Sequence, residues 1–195
     1  MATTKVDIGL IDTSGTASSS TFLRGDGAWS ASGGWEYVST ATASSSATIA
    51  FTNMVDGYDY EYCVDHILPA TDGVDWTARL GVAGPTYRDS NYLSFMTRIS
   101  DSTSVAKEAS TSKMHFNSSG TNTMGNAATE GLRGQTLTFR NPANSSSLTT
   151  GIGIHNWSKV DTTGVNGNFS VIYTTAEAHT SIEWKFSSGN IASGN

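Results

Sequence analysis

The chain is poor in charge, in cysteine and in long apolar runs, and each shortage excludes something. Charged residues fill 14% of its 195 positions, against ~25% in ordinary globular domains. Acids outnumber bases 17 to 11, giving a net charge of −6. A nucleic-acid binder needs a basic stripe that displaces counterions from phosphates. None is present, so nucleic acid is set aside as a partner. The one cysteine, Cys63, cannot form an intrachain disulfide, and in its apolar, aromatic stretch it is expected as a small buried hydrophobe rather than a nucleophile. No apolar run is long enough for a membrane-spanning helix, and residues 1–12 lack the apolar core of a secretion signal. The expectation is a protein made in a cytoplasm that reaches any outer surface by assembly or lysis.

Serine, threonine, glycine, alanine and asparagine fill the gap, residues that favour turns and strands over helices. Residues 13–34 are rich in them and hold too few apolar groups to fold alone. Phe22, Leu23, Trp29 and the following Trp35 need a surface to bury against. This divides the chain into an arm, residues 1–34, and a lobe, residues 35–195.

Within the lobe the period is two, the signature of strands with one buried face. Tyr58, Tyr60, Tyr62 and Val64 share a face, opposite Asp59, Glu61, Cys63 and Asp65. So do Trp76, Ala78, Leu80 and Val82; Leu93, Phe95, Thr97 and Ile99; Leu137 and Phe139; Ile152 and Ile154; Phe169, Val171 and Tyr173; Ile182, Trp184 and Phe186. Turn chemistry punctuates these runs at Asp56-Gly57, Asp72-Gly73, Gly84-Pro85, Ser119-Gly120, Asn141 to Asn144 and Asn166-Gly167. Residues 100–131 read as a long loop or irregular edge, with room for one short helical turn over 105–114. The predicted fold is all-β: an extended arm followed by an antiparallel, jelly-roll-like β-sandwich of about eight strands.

Chemical motifs are scarce. There is no nucleophile elbow, phosphate-cradling loop or dinucleotide fingerprint, so no enzyme activity and no cofactor is expected. His66, His115, His155 and His179 lack zinc-ligand spacing and read as solvated or core histidines. Asp56, Asp59, Glu61, Asp65, Asp72 and Asp75 crowd one region without calcium-loop spacing. A solvated acidic face explains them better than a metal site or a glycosidase carboxylate pair. The four Asn-x-Ser/Thr triplets, at Asn117, Asn144, Asn156 and Asn168, follow from composition. Arg24-Gly25-Asp26 spells an integrin-binding tripeptide but belongs to a longer motif. Tyr87 and Tyr92, beside the Gly84–Asn91 loop, are the candidate contacts to something outside the lobe, such as a host-surface glycan.

The longer motif is the sharpest signal. Residues 15–29, GTASSSTFLRGDGAW, resemble the pattern G-T-x-S-x-x-T-F-L-R-G-D-G-x-W of bacteriophage tail-fibre and other virion surface proteins, where it precedes a distal module. The lobe is similar to a β-sandwich module of such proteins in its opening Trp35, its small-residue strand ending at Phe51, its Tyr-rich strand over 58–64, its strand over 76–82 and its Phe186–Asn195 end. The resemblance implies a non-enzymatic virion structural protein on the particle surface. Two forms of it fit, a head decoration or head-fibre protein docked on the major capsid protein and a tail fibre or spike that meets the host. A chain of low charge with a Gly-rich, aromatic arm also suits symmetric assembly as a homotrimer, in which Arg24 and Asp26, flanking a glycine in an expected tight turn, would pair between subunits and Phe22, Leu23 and Trp29 would pack near the three-fold axis. Such modules continue into one more strand, so a neighbouring subunit is expected to cover the last sheet edge. A reading of another class is a carbohydrate-binding module or glycosidase of sandwich fold, which leaves the arm unexplained.

Overall fold

The alternation in the sequence becomes strands throughout in a computed structural model, which describes residues 21–23, 28–31, 34–100, 105–117, 123–160 and 163–194. No helix occurs among the described residues. The chain divides into two compact units, Met1–Ser39 and Thr40–Asn195, a few residues beyond the boundary read from composition.

In the first unit, β1 (Thr21–Leu23) and β2 (Trp29–Ala31) form an antiparallel hairpin in which Leu23 lies opposite Trp29 and Phe22 opposite Ser30. Among the described residues of the arm, these two strands are the regular structure. Two strands alone bury too little to be stable in water.

The second unit is a β-sandwich. Its strands are β3 (Ala43–Ser46), β4 (Ile49–Thr52), β5 (Tyr60–Val64), β6 (Leu68–Pro69), β7 (Trp76–Val82), β8 (Thr86–Tyr87), β9 (Tyr92–Ser100), β10 (Val105–Ser110), β11 (Met114–His115), β12 (Gly131–Arg140), β13 (Thr150–Ser158), β14 (Gly164–Tyr173), β15 (Ser181–Phe186) and β16 (Ile191–Gly194). One antiparallel sheet runs β10-β9-β14-β13-β12-β5. The other runs β11-β7-β15-β4, with β8 added to β7. In a small third sheet β16 lies between β3 and β6, so the expected uncovered edge at the chain's end is paired on both sides within the chain. Residues 105–110, read as room for a helical turn, are the edge strand β10, whose backbone pairs with β9 from Ile99 to Ser94.

Rings fill the space between the sheets. Trp184 meets Tyr62 at 4.9 Å between centroids, Trp76 meets Phe186 at 4.9 Å and Phe116 meets Phe169 at 4.8 Å. The Trp76, Leu137–Phe139, Phe169–Tyr173 and Ile182–Phe186 runs face inward as read from the sequence. Two runs do not. On β9 the inward residues are Tyr92, Ser94, Met96, Arg98 and Ser100, while Leu93, Phe95 and Ile99 point out. On β13 the inward residues include Gly151, His155 and Trp157, while Ile152 and Ile154 point out. The alternation is real in both strands, but its more apolar side is the outer one.

The inner face explains the inversion. A Cβ on Gly153 would lie 2.4 Å from Cζ of Phe169, one on Gly151 2.7 Å from Cε1 of Phe139, and one on Gly167 2.3 Å from Nε2 of His155. Each glycine is inward because a large ring from the neighbouring strand occupies the place of its side chain. Gly167 is therefore no turn: Asn166-Gly167 sits inside β14. The other predicted turns among the described residues hold. At Asp56-Gly57, for example, Gly57 has φ +90° and its N–H donates to Oδ1 of Asn141 at 2.8 Å, a conformation that favours glycine.

Candidate functional site

The arm and the lobe surface are the two places where the sequence points to contact with another molecule. In the arm, Leu23 is exposed, and the antiparallel pair β1 and β2 carries the Thr21–Leu23 and Trp29 parts of the motif. Arg24 and Asp26 lie outside the described residues, and of Phe22 and Trp29 only the backbone pairing is described. Beyond the hairpin Trp35, Tyr37 and Val38 are exposed by 64%, 76% and 76%. A solvated segment gains nothing from three such side chains in succession, whereas a docked one buries them.

On the lobe, Tyr87 and Tyr92 part company. Tyr87 is half-buried: the Arg79 guanidinium sits 5.5 Å above its ring, and Arg79 is itself held by Glu183 and Asp89, each at 2.6 Å. Tyr92 is a correction, because its side chain is 1% exposed. It opens β9 on the inward side, meets the Tyr173 ring at 5.1 Å and accepts a hydrogen bond from the Leu80 N–H at 2.8 Å. Burial raises its phenol pKa. Tyr92→Phe is therefore expected to remove a buried acceptor and lower stability by about 1–2 kcal/mol, seen as a thermal midpoint a few degrees lower, with no change in any surface contact.

Cys63 is also corrected. It projects from β5 on the exposed side, 3.9 Å from Oε1 of Glu61. Partial desolvation first and that carboxylate second push its thiol pKa up, which makes it a reluctant nucleophile. The acidic residues are dispersed. Asp59 pairs with Arg140 at 2.5 Å and accepts from the Asn141 N–H, and the Arg140 hydrogen bond holds its carboxyl below the ordinary range. Asp72 accepts from the Asn126 N–H, and Asp75 faces His115 at 3.3 Å. Among the described residues no three His, Cys, Asp or Glu side chains converge in a way that could hold a metal ion. Asn117 is wholly buried, donates to the Val74 carbonyl and accepts from the Trp76 N–H, so the asparagine of the first Asn-x-Ser/Thr triplet serves the core.

One constellation was not visible in the sequence. The Thr149 hydroxyl lies 2.8 Å from Nδ1 of His179, whose Nε2 faces Glu177 at 3.4 Å. Arg88 clamps the same carboxylate through two bonds of 2.9 and 2.6 Å and keeps its pKa low. A hydroxyl, an imidazole and a carboxylate in line resemble a nucleophilic relay. Thr149 and His179 are, however, 2% and 0% exposed, and burial lowers the histidine's pKa. The arrangement ties the Pro142–Thr149 loop to the irregular segment leading into β15 and offers no opening to a substrate.

A shallow depression of about 500 Å³ lies on the outer face of the six-stranded sheet, lined by Thr97, Ile99, Thr136, Ile154, Asn156 and Asn166 among others. Its polar groups are mainly amides and hydroxyls. Compared with known proteins, the chain matches no family model, no curated protein and no solved structure.

Proposed function

We propose that the chain is a non-enzymatic structural protein of the bacteriophage virion surface, a homotrimer that decorates the head by docking its arm on the capsid. The observation that carries this reading is the arm itself: a two-stranded hairpin bearing the fibre-type motif over residues 15–29, followed by the exposed Trp35, Tyr37 and Val38. Such a segment gains order from a partner surface rather than from itself. The lobe supports it by its low charge and by the burial of Thr149 and His179 in the catalysis-like cluster. The motif's association with tail fibres favours a second reading, in which the same arm joins the lobe to a tail fibre or spike that meets a host glycan.

Deleting residues 1–34 is the test. The truncated lobe is expected to melt cooperatively near the full chain's midpoint while its incorporation into particles falls by at least about 100-fold, the loss of a multivalent anchor. Undiminished incorporation would overturn the reading. Labelled chain found on tails instead of heads selects the fibre form, and a monomer that binds polysaccharide and ignores particles selects the carbohydrate-binding class.

A further inference from the structure

The outer face of the six-stranded sheet has a regular relief. Its apolar residues are Leu93, Phe95 and Ile99 on β9 and Ile152 and Ile154 on β13, exposed by 39%, 48%, 56%, 62% and 59%. The strands between and beside them present small polar groups: Asn166, Asn168 and Ser170 on β14, and Gly134, Thr136 and Thr138 on β12. The register sets these in rows across the sheet. Phe95, Ser170, Ile152 and Thr138 form one; Thr97, Asn168, Ile154 and Thr136 the next. Strands lie about 4.8 Å apart, so two apolar ridges run about 10 Å from each other, with the β14 furrow between them and the β12 furrow beside the second.

Three properties make this face the complement of itself. A ridge fits a furrow of the same spacing, so an identical face shifted by one strand interlocks with it. Asn, Ser and Thr both donate and accept hydrogen bonds, so the same set can satisfy itself, which a set of like charges cannot. Among the described side chains charge is confined to the margin: Arg140, ion-paired to Asp59, ends β12, and Glu61 stands on the edge strand β5; the register sets Lys107 on the opposite edge strand, β10, beside Thr97. Two copies of a chain with a net charge of −6 therefore meet here with least repulsion. The extent also suits the purpose. The four central strands, nine or ten residues long, span about 14 Å by 31 Å, and the shorter edge strands β10 and β5 add about 5 Å on either side, an area on the order of 600 Å², at the lower end of the roughly 600–1,000 Å² that each partner buries in a stable interface.

We propose that two copies of this chain pack face to face through the outer surface of the six-stranded sheet, sheet on sheet at about 10 Å. This contact belongs to the lobe and is independent of the arm, whose number of chains it doubles.

The test compares the mass in solution of the full chain with that of F95R/I154R, which places two cations on the ridges, and of S170R, which fills the furrow and leaves every ridge intact. All three positions are outward, and the variants' melting curves verify folding. Each variant is expected to have half the mass of the parent, with pairing weakened by about 100-fold or more. Cys63, the only cysteine, is the second readout. It lies in the Ile154 row, one strand beyond Thr136, so maleimide labelling at mildly alkaline pH should slow as the parent is concentrated and not as the variants are. Equal masses together with concentration-independent labelling would overturn the proposal. So would a parent that stays unpaired while F95R/I154R abolishes binding to particles, because the occupant would then be shell protein. The arm is read separately: halving from six to three supports both it and the face, halving from two to one supports the face alone, and an unchanged trimer supports the arm alone.

Discussion

Replacing Gly153 by alanine is expected to destabilise the lobe by more than about 3 kcal/mol, lowering the thermal midpoint by roughly 6–12 °C. The added methyl would stand 2.0 Å from the Thr136 carbonyl oxygen and 2.4 Å from Cζ of Phe169. Neither can yield easily. Thr136 lies between two partners, Ile154 on β13 and Cys63 on β5, so moving its carbonyl disturbs the middle of the sheet. The Phe169 ring is stacked on His155 at 5.3 Å and meets Phe116 edge-on at 4.8 Å, so moving it opens the core it fills. Gly164, at the start of the adjacent β14, is the control: a Cβ there meets nothing within 4 Å, and its alanine variant should unfold within about 0.5 kcal/mol of the parent. Urea unfolding of the two variants side by side reads the difference. A Gly153→Ala protein as stable as Gly164→Ala would mean that the inner face is looser than these distances describe.

That glycine also shows where the sequence could be read and where it could not. Alternation reports which residues share a face, and it grouped them correctly in β7, β9, β13, β14 and β15. It does not report which side faces inward. Assigning the more apolar side to the core works when bulk is needed there, as for Trp76 or Phe169. It fails for Gly-Ile-Gly-Ile-His over 151–155, where the core is already filled by rings from β12 and β14 and requires glycine, so the isoleucines face out. A signal was present: Gly151 and Gly153 stand at two-residue spacing in one regular strand and Gly167 inside another, positions that mark close approach. The same inversion on β9 moved Tyr92 from the surface list to the core. It hid the open face, because its apolar residues had been assigned to the interior. Cys63 followed the outward register of β5 despite its aromatic neighbours. Turns were the most legible feature, since Asp56-Gly57 and Gly84-Pro85 act through local backbone geometry, whereas Asn166-Gly167 shows that the same letters can serve packing. The Thr149, His179 and Glu177 cluster joins residues up to 30 positions apart, with no local spacing to announce it.

The lobe is further expected to lose stability as the pH falls below 6.5, and His155 is the cause. Its ring lies between Phe169, stacked at 5.3 Å, and Trp157, edge-on at 4.8 Å, with Phe116 at 6.2 Å, and neither ring nitrogen meets a hydrogen-bond partner. Burial pushes its pKa from 6.5 down to about 3, because a charged imidazolium there would have neither water nor a counter-charge. The unfolded chain takes up a proton near pH 6.5 and the folded one does not until about 3, so between these values the unfolded state holds more protons and stability rises with pH. Above pH 6.5 both states are neutral and the effect vanishes. By pH 5 the loss is on the order of 2 kcal/mol, at about 1.4 kcal/mol per pH unit. His179, whose pKa burial also lowers, adds to the slope with the same sign. Asp59 and Glu177 have pKa values held below their ordinary 3.8 and 4.5, so their contributions are lost only at lower pH and do not enter this window. His155→Leu keeps the volume, removes two unpartnered nitrogens and leaves the space above Gly167 filled. It should match or slightly exceed the parent at pH 7.5 and exceed it by about 2 kcal/mol at pH 5, retaining only the slope due to His179. Parallel urea midpoints for parent and variant across pH 5–7.5 would show that the ring is protonated in place, and that the sheet interior around Phe169 and Trp157 admits water.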